Sequence, residues 1–138
     1  MRPASAAGRG FSLVELAVVL AAVGVLVSLA VPSWQQHLQR ARRADAVAAL
    51  TQLQAAQERL RTHTGAYSND FQALQRPLHS AEGHYTLAVE LQGPEAYRAT
   101  ATPRAGGPQQ PDSACSPLVM QVRLGFVETG PQRGCWQR

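Results

Sequence analysis

The chain has 138 residues, 45% of them hydrophobic, and a net charge of +4, which leaves room for one domain with a modest core. Its apolar residues are concentrated at one end: no Asp, Glu, Lys or Arg stands between Glu15 and Arg40, while the remainder is polar and poor in aromatics. All thirteen basic residues are Arg, and without Arg2 and Arg9 eleven stand against nine carboxylates, scattered in a way that reads as a solvated surface and does not indicate DNA.

In chain order, the first element is a short basic leader followed by an apolar run, MRPASAAGRG and then FSLVELAVVLAAVGVLVSLAV. About twenty apolar residues suffice to span a hydrocarbon core, and the positive leader predicts a cytoplasmic start with everything after the helix outside. A plain transmembrane anchor accounts for this much. So does a cleaved secretory signal, with Ser28-Leu29-Ala30 as a small-x-small cleavage site. Glu15 fits neither reading. A carboxylate in an apolar span costs roughly 2–4 kcal/mol near the bilayer centre and less near its edge, and such residues mark function, so a partner for it has to be sought.

Gly10-Phe11-Ser12-Leu13-Val14-Glu15 closely resembles the processing site of type IV prepilins, in which Gly precedes a hydrophobic residue and Glu follows five residues after the Gly. The resemblance implies cleavage by prepilin peptidase between Gly10 and Phe11, methylation of Phe11 as the new N-terminus, and a role for Glu15 in assembly. The physics agrees with that implication. Cleavage creates a cationic amine at Phe11, and in a filament that amine and the Glu15 carboxylate can meet away from water, each offsetting the other's burial cost. The implied partners are other pilin subunits through the N-terminal helix, prepilin peptidase and the inner-membrane pilus assembly machinery. The implied location is the inner membrane with an extracytoplasmic head, then the extracellular pilus.

Gly24 and Pro32 interrupt an otherwise strong helical pattern. Pro32 has no N–H for the Ser28 carbonyl and its ring presses on that turn, which predicts a kink or, alternatively, a helix boundary at the membrane surface. The resemblance favours a continuous kinked helix. Beyond it, Leu38, Ala46, Ala49, Leu50, Leu53, Ala56 and Leu60 fall close to one stripe at helical spacing, and Gly65 after Arg61 and His63 is a stop. A helix from residue 11 to residue 64 is about 80 Å long. We divide the chain into a leader (1–10), a transmembrane and assembly helix (11–32), an amphipathic helix (33–64) and a β head (65–138). Arg40, Arg42 and Arg43 read as a solvated helix face.

In the head, Gln57-Glu58-Arg59 followed by Gly65-x-Tyr67 resembles the helix end and next loop of one group of type IV minor pilins. Residues 84–91 and 96–102 alternate around Gly93-Pro94 and predict an antiparallel pair, residues 118–124 a third strand, and 103–113 a loop. Cys115 and Cys135, an even pair in a small extracytoplasmic domain, read as a disulfide. Its 21-residue loop is worth about 3 kcal/mol in chain entropy. The four His supply no metal cluster, and neither a catalytic constellation nor a cofactor motif is present in the sequence.

The fold class expected is α+β, the type IV pilin fold, with a long kinked N-terminal helix and a small antiparallel sheet. The function expected is that of a structural subunit of a type IV pilus, a minor pilin, and not an enzyme. Alternatives are a pseudopilin of a type II secretion system, a filament-tip pilin that binds DNA or a surface, and a secreted domain cut after Ala30. The disulfide loop leans toward the pilus, because major pseudopilins often rely on bound calcium in that region.

Overall fold

The computed structural model describes residues 11–137. The leader, including Gly10 of the expected cleavage site, lies outside the described residues. Helix α1 runs Leu13–Thr64 and carries Gly24 and Pro32 inside it, so Pro32 does not end the helix. Ser28 and Ser33 hydroxyls donate to the carbonyls of Val25 and Ala30 in the turns around the proline.

The chain divides into two compact units, Met1–Gln36 and His37–Arg138. In the first, every described residue is exposed, including Phe11 and the valines and leucines of residues 13–31. This stretch is long and apolar enough to cross a membrane. So much apolar surface left exposed among the described residues calls for lipid or another protein around it.

In the second unit the helix presents Ala46, Ala49, Leu50, Leu53 and Ala56 to one cluster shared with a four-stranded antiparallel sheet. Strands β1 (Tyr85–Leu91), β2 (Ala96–Pro103), β3 (Leu118–Arg123) and β4 (Phe126–Gly130) follow one another in sequence order as a meander. Period-two alternation sends Tyr85, Leu87, Tyr97, Ala99, Ala101, Leu118, Met120 and Val122 inward. Alanines of the helix stripe and of β2 share this cluster with the large, fully buried Tyr85 and Tyr97. The helix ends as expected, with Gly65 at φ +79° and its N–H donating to Arg61 O at 2.7 Å.

The sheet has one strand more than the sequence analysis predicted. β4 is five residues long with Phe126, Val127, Glu128 and Thr129 all exposed, so it has no inward stripe to betray it. Its pairing with β3 in register Arg123↔Phe126 through Val119↔Gly130 makes it a strand.

Burial raises the pKa of both core tyrosines: Tyr85 is pushed up to about 12, with the Asp112 charge adding to it, and Tyr97 is pushed up further, with Glu58 adding. Ionisation is therefore disfavoured in the fold relative to the unfolded chain. That stability is fully present below pH 10, the ordinary tyrosine value, and is lost as pH rises from there through about 12. The Tyr97 hydroxyl is also buried without a hydrogen-bond partner among the described residues. Tyr97→Phe is expected to leave stability at neutral pH unchanged or higher and to flatten the alkaline loss. Melting temperature followed across alkaline pH checks it, and a steeper loss in the variant would contradict it.

Candidate functional site

Two regions of the chain carry chemistry. The first is the start of α1. Glu15 stands in its first turn, where the helix dipole favours a negative charge, and it is exposed together with the apolar residues around it. Phe11 is 82% exposed. A carboxylate on an otherwise apolar, uncovered helix is the arrangement that the assembly reading needs; the Gly10 side of the processing site falls outside the described residues.

The second region is the surface of the head, whose shape depends on four tethers. Gln57, fully buried, donates from Nε2 to Ser68 O at 2.5 Å and accepts at Oε1 from Ser68 N at 3.0 Å, so one amide satisfies both backbone groups of the chain leaving the helix. Tyr67 donates its hydroxyl to Glu58 Oε1 and accepts from Arg61, each at 2.9 Å, while its ring meets Tyr97 edge-on at 4.7 Å. These contacts give a physical meaning to the Gln57-Glu58 and Gly65-x-Tyr67 pattern, in which sequence reasoning saw only resemblance.

The third tether fastens the β2–β3 connection to the helix. Arg43 Nε and Nη2 donate to Asp112 Oδ2 and Oδ1 at 2.5 and 2.6 Å, with side chains only 16% and 4% exposed. Gln109 Nε2 donates to Asp112 Oδ2 at 2.8 Å and to Gln39 O at 3.1 Å, and Arg42 reaches Pro108 O at 3.3 Å. The bidentate hydrogen bond and charge of Asp112 raise the Arg43 pKa further. Sequence reasoning placed Arg43 on a solvated face; the structure turns it inward, because Asp112, 69 residues away, folds back onto it. The fourth tether is the Cys115–Cys135 disulfide, which joins two short 3-10 turns, Ser113–Cys115 and Arg133–Cys135. Trp136 Nε1 donates to Gly130 O at 2.8 Å and seats the C-terminal segment against the end of β4.

With those contacts made, Arg43–Asp112 and Arg61–Glu95 are the arginine–carboxylate ion pairs among the described residues. The other described head arginines make none, and Arg40, Arg59, Arg98, Arg104, Arg123 and Arg133 are exposed. On the sheet face turned away from the helix, the register aligns Glu90, Arg98, Gln121 and Glu128 in one row and Ala96, Arg123 and Phe126 in the next. Gln121 donates from Nε2 to Gln92 Oε1 at 2.9 Å and accepts from Arg98 at 3.5 Å. A shallow hollow of about 250 Å³ opens there, lined by Gln121, Arg123, Leu124, Phe126 and Glu128.

A long helix with an uncovered apolar start bearing Glu15, and a four-stranded antiparallel sheet laid on its later turns, define a type IV pilin. The sequence also matches a family model described as "Type IV minor pilin ComP, DNA uptake sequence receptor" over residues 32–119, more than half of the chain. The chain belongs to that family and is a type IV minor pilin, a structural subunit associated with other pilus components and anchored through an apolar N-terminal helix. Of the readings drawn from the sequence, the minor pilin stands, and the DNA-binding alternative is compatible with the family's description.

Proposed function

We propose that this minor pilin is a receptor for duplex DNA displayed on a type IV pilus. It enters the inner membrane with its head outside, is cut between Gly10 and Phe11, is methylated at Phe11, and joins the filament through its helix with Glu15 paired to the Phe11 amine of the same or a neighbouring subunit. Gly24 and Pro32 loosen the helix as it packs. The observation that carries the DNA reading is the set of exposed head arginines left without carboxylate partners after Asp112 and Glu95 are taken up. It agrees with the description of the family to which the chain belongs.

Phosphate contacts by such arginines release counterions, so affinity should fall steeply with salt. For about four contacts, binding of the full mature chain in detergent to a labelled duplex should weaken roughly a hundredfold between about 50 and about 200 mM salt. Fluorescence anisotropy measures this directly. A protein that binds no duplex at low salt, or binds with no salt dependence, would exclude the DNA reading and leave a purely structural minor pilin.

A further inference from the structure

We propose that the tip of the β3–β4 hairpin is a knob that seats in a socket beside the end of α1 on a second copy of this chain, joining two heads side by side. The inference stands on the pilin class and is independent of the DNA reading.

The hairpin turns at Leu124-Gly125, both with positive φ (+51° and +82°). Such two-residue turns favour Asn, Asp or Gly at the first position, and a branched apolar side chain there is strained. Leu124 nonetheless stands 63% exposed at the tip, and Phe126, next to Gly125, is 77% exposed. Neither joins the core, so folding has no use for them in those positions. A strained, exposed apolar residue points to a contact made outside the chain. Glu128 flanks them in β4, exposed and without an ion pair among the described residues.

The socket is a hollow of about 260 Å³ between the last turns of α1 and the loop that follows. Ala56 and Leu74, each 3% exposed, and the partly buried Leu60 give it an apolar floor. Arg59 and His63 stand on its rim one helical turn apart, both exposed, and neither meets a carboxylate among the described residues. An apolar floor under a cationic rim complements an apolar knob with a carboxylate on its flank. Leu124 and Phe126 enter the hollow, and Glu128 faces Arg59 and His63.

The fold puts knob and socket where two copies pointing the same way can join them. Glu95 accepts at its carbonyl from Leu124 N at 3.0 Å and at its carboxylate from Arg61 at 3.3 Å, so the hairpin tip and the end of α1 lie at the same end of the head. They stand on opposite flanks of it. The tip belongs to the β4 edge of the sheet, whereas the loop bearing Leu74 leads into residues 78–80, which bond to β1 at the other edge. Leu87 N donates to Leu78 O at 2.7 Å and Ser80 N to Tyr85 O at 3.0 Å. A knob on one flank and a socket on the other meet between neighbouring heads. Such a contact is head-to-tail, so it can repeat along a filament, which a two-fold contact cannot.

The test co-expresses two full-length variants, Leu124→Cys and Ala73→Cys, each altered at an exposed position. Disulfide-linked dimers are quantified in membranes and in sheared pili by mass spectrometry, with the Cys115–Cys135 bridge mapped in the same digest. Dimers joining residue 124 to residue 73 are expected at least about tenfold above those from Leu124→Cys with Ala88→Cys, whose cysteines the contact leaves out of reach. Adding Glu128→Arg to the knob variant should lower the yield about tenfold, and adding Arg59→Glu to the socket variant should then restore it to within about twofold. Misfolding does not produce recovery by charge exchange. A yield no higher than the control overturns the proposal, as does a yield indifferent to both charge changes. Dimers joining residue 124 to residue 124 overturn it in favour of a two-fold contact of tips. Links from residue 124 to a different protein alone overturn the assignment of a second copy as the partner.

Discussion

Glu15→Val and Glu15→Gln are expected to leave membrane insertion and processing intact while sharply reducing the amount of this subunit in sheared pili. Insertion gains from either change, because an apolar span is rid of a carboxylate. On the assembly proposed above, the anion that would meet the Phe11 amine is lost, and a cation left unpaired in an apolar filament core costs about 3 kcal/mol or more. That is roughly a hundredfold in the partition of the subunit between membrane and filament. The measurement is the ratio of subunit in pili to subunit in membranes, with mass spectrometry of both pools to confirm a methylated Phe11 at the N-terminus. A mature chain beginning at Val31 would defeat the processing assignment, and normal incorporation of the variants would defeat the role of Glu15. Glu15 is exposed and touches no core residue among the described residues 11–36, so its loss leaves the packing of the head untouched.

The second large effect is expected at Asp112. Asp112→Ala strands the Arg43 guanidinium in a site where its side chain is only 16% exposed, and removes one of the two acceptors of Gln109 Nε2. Truncating one partner of a buried pair costs about 3–5 kcal/mol. In a domain of this size that lowers the melting temperature by at least about 10 °C. The β2–β3 connection should come off the helix first, since Gln39, Arg42 and Arg43 are its polar anchors on α1. Thermal unfolding checks the magnitude, and hydrogen exchange at residues 104–113 checks the place. The double variant Arg43→Met, Asp112→Leu should recover most of the loss, because two apolar groups of similar shape leave no charge stranded. A single variant as stable as the wild type would mean that water reaches Arg43 and that the pair only decorates the surface.

How much of this was legible beforehand depends on the range of the interaction. The apolar helix, its stop at Gly65, the Pro32 site, the first three strands and the cysteine pair were all readable, because each is signalled by residues adjacent in sequence. Glu15 stood out as a charge where an apolar span has none. β4 was not readable: FVETG exposes every side chain but the last, so no alternation records that β3 lies beside it.

By itself, then, the sequence determined the helix, the membrane-compatible span, the pilin class and the first three strands, because local propensity and period act over a few residues; the fourth strand and the order of the sheet came from the tertiary structure. Only the tertiary structure decided which charges remain available. Arg43 and Asp112 lie 69 residues apart and Gln57 and Ser68 lie on either side of the helix end, and nothing in either local window records that they meet. Net charge counts every side chain alike, whereas folding places Asp112 inside against Arg43 and leaves Arg123 outside beside Phe126. Which arginines stay unpaired at the surface is decided by that sorting, and it is made by contacts across the fold.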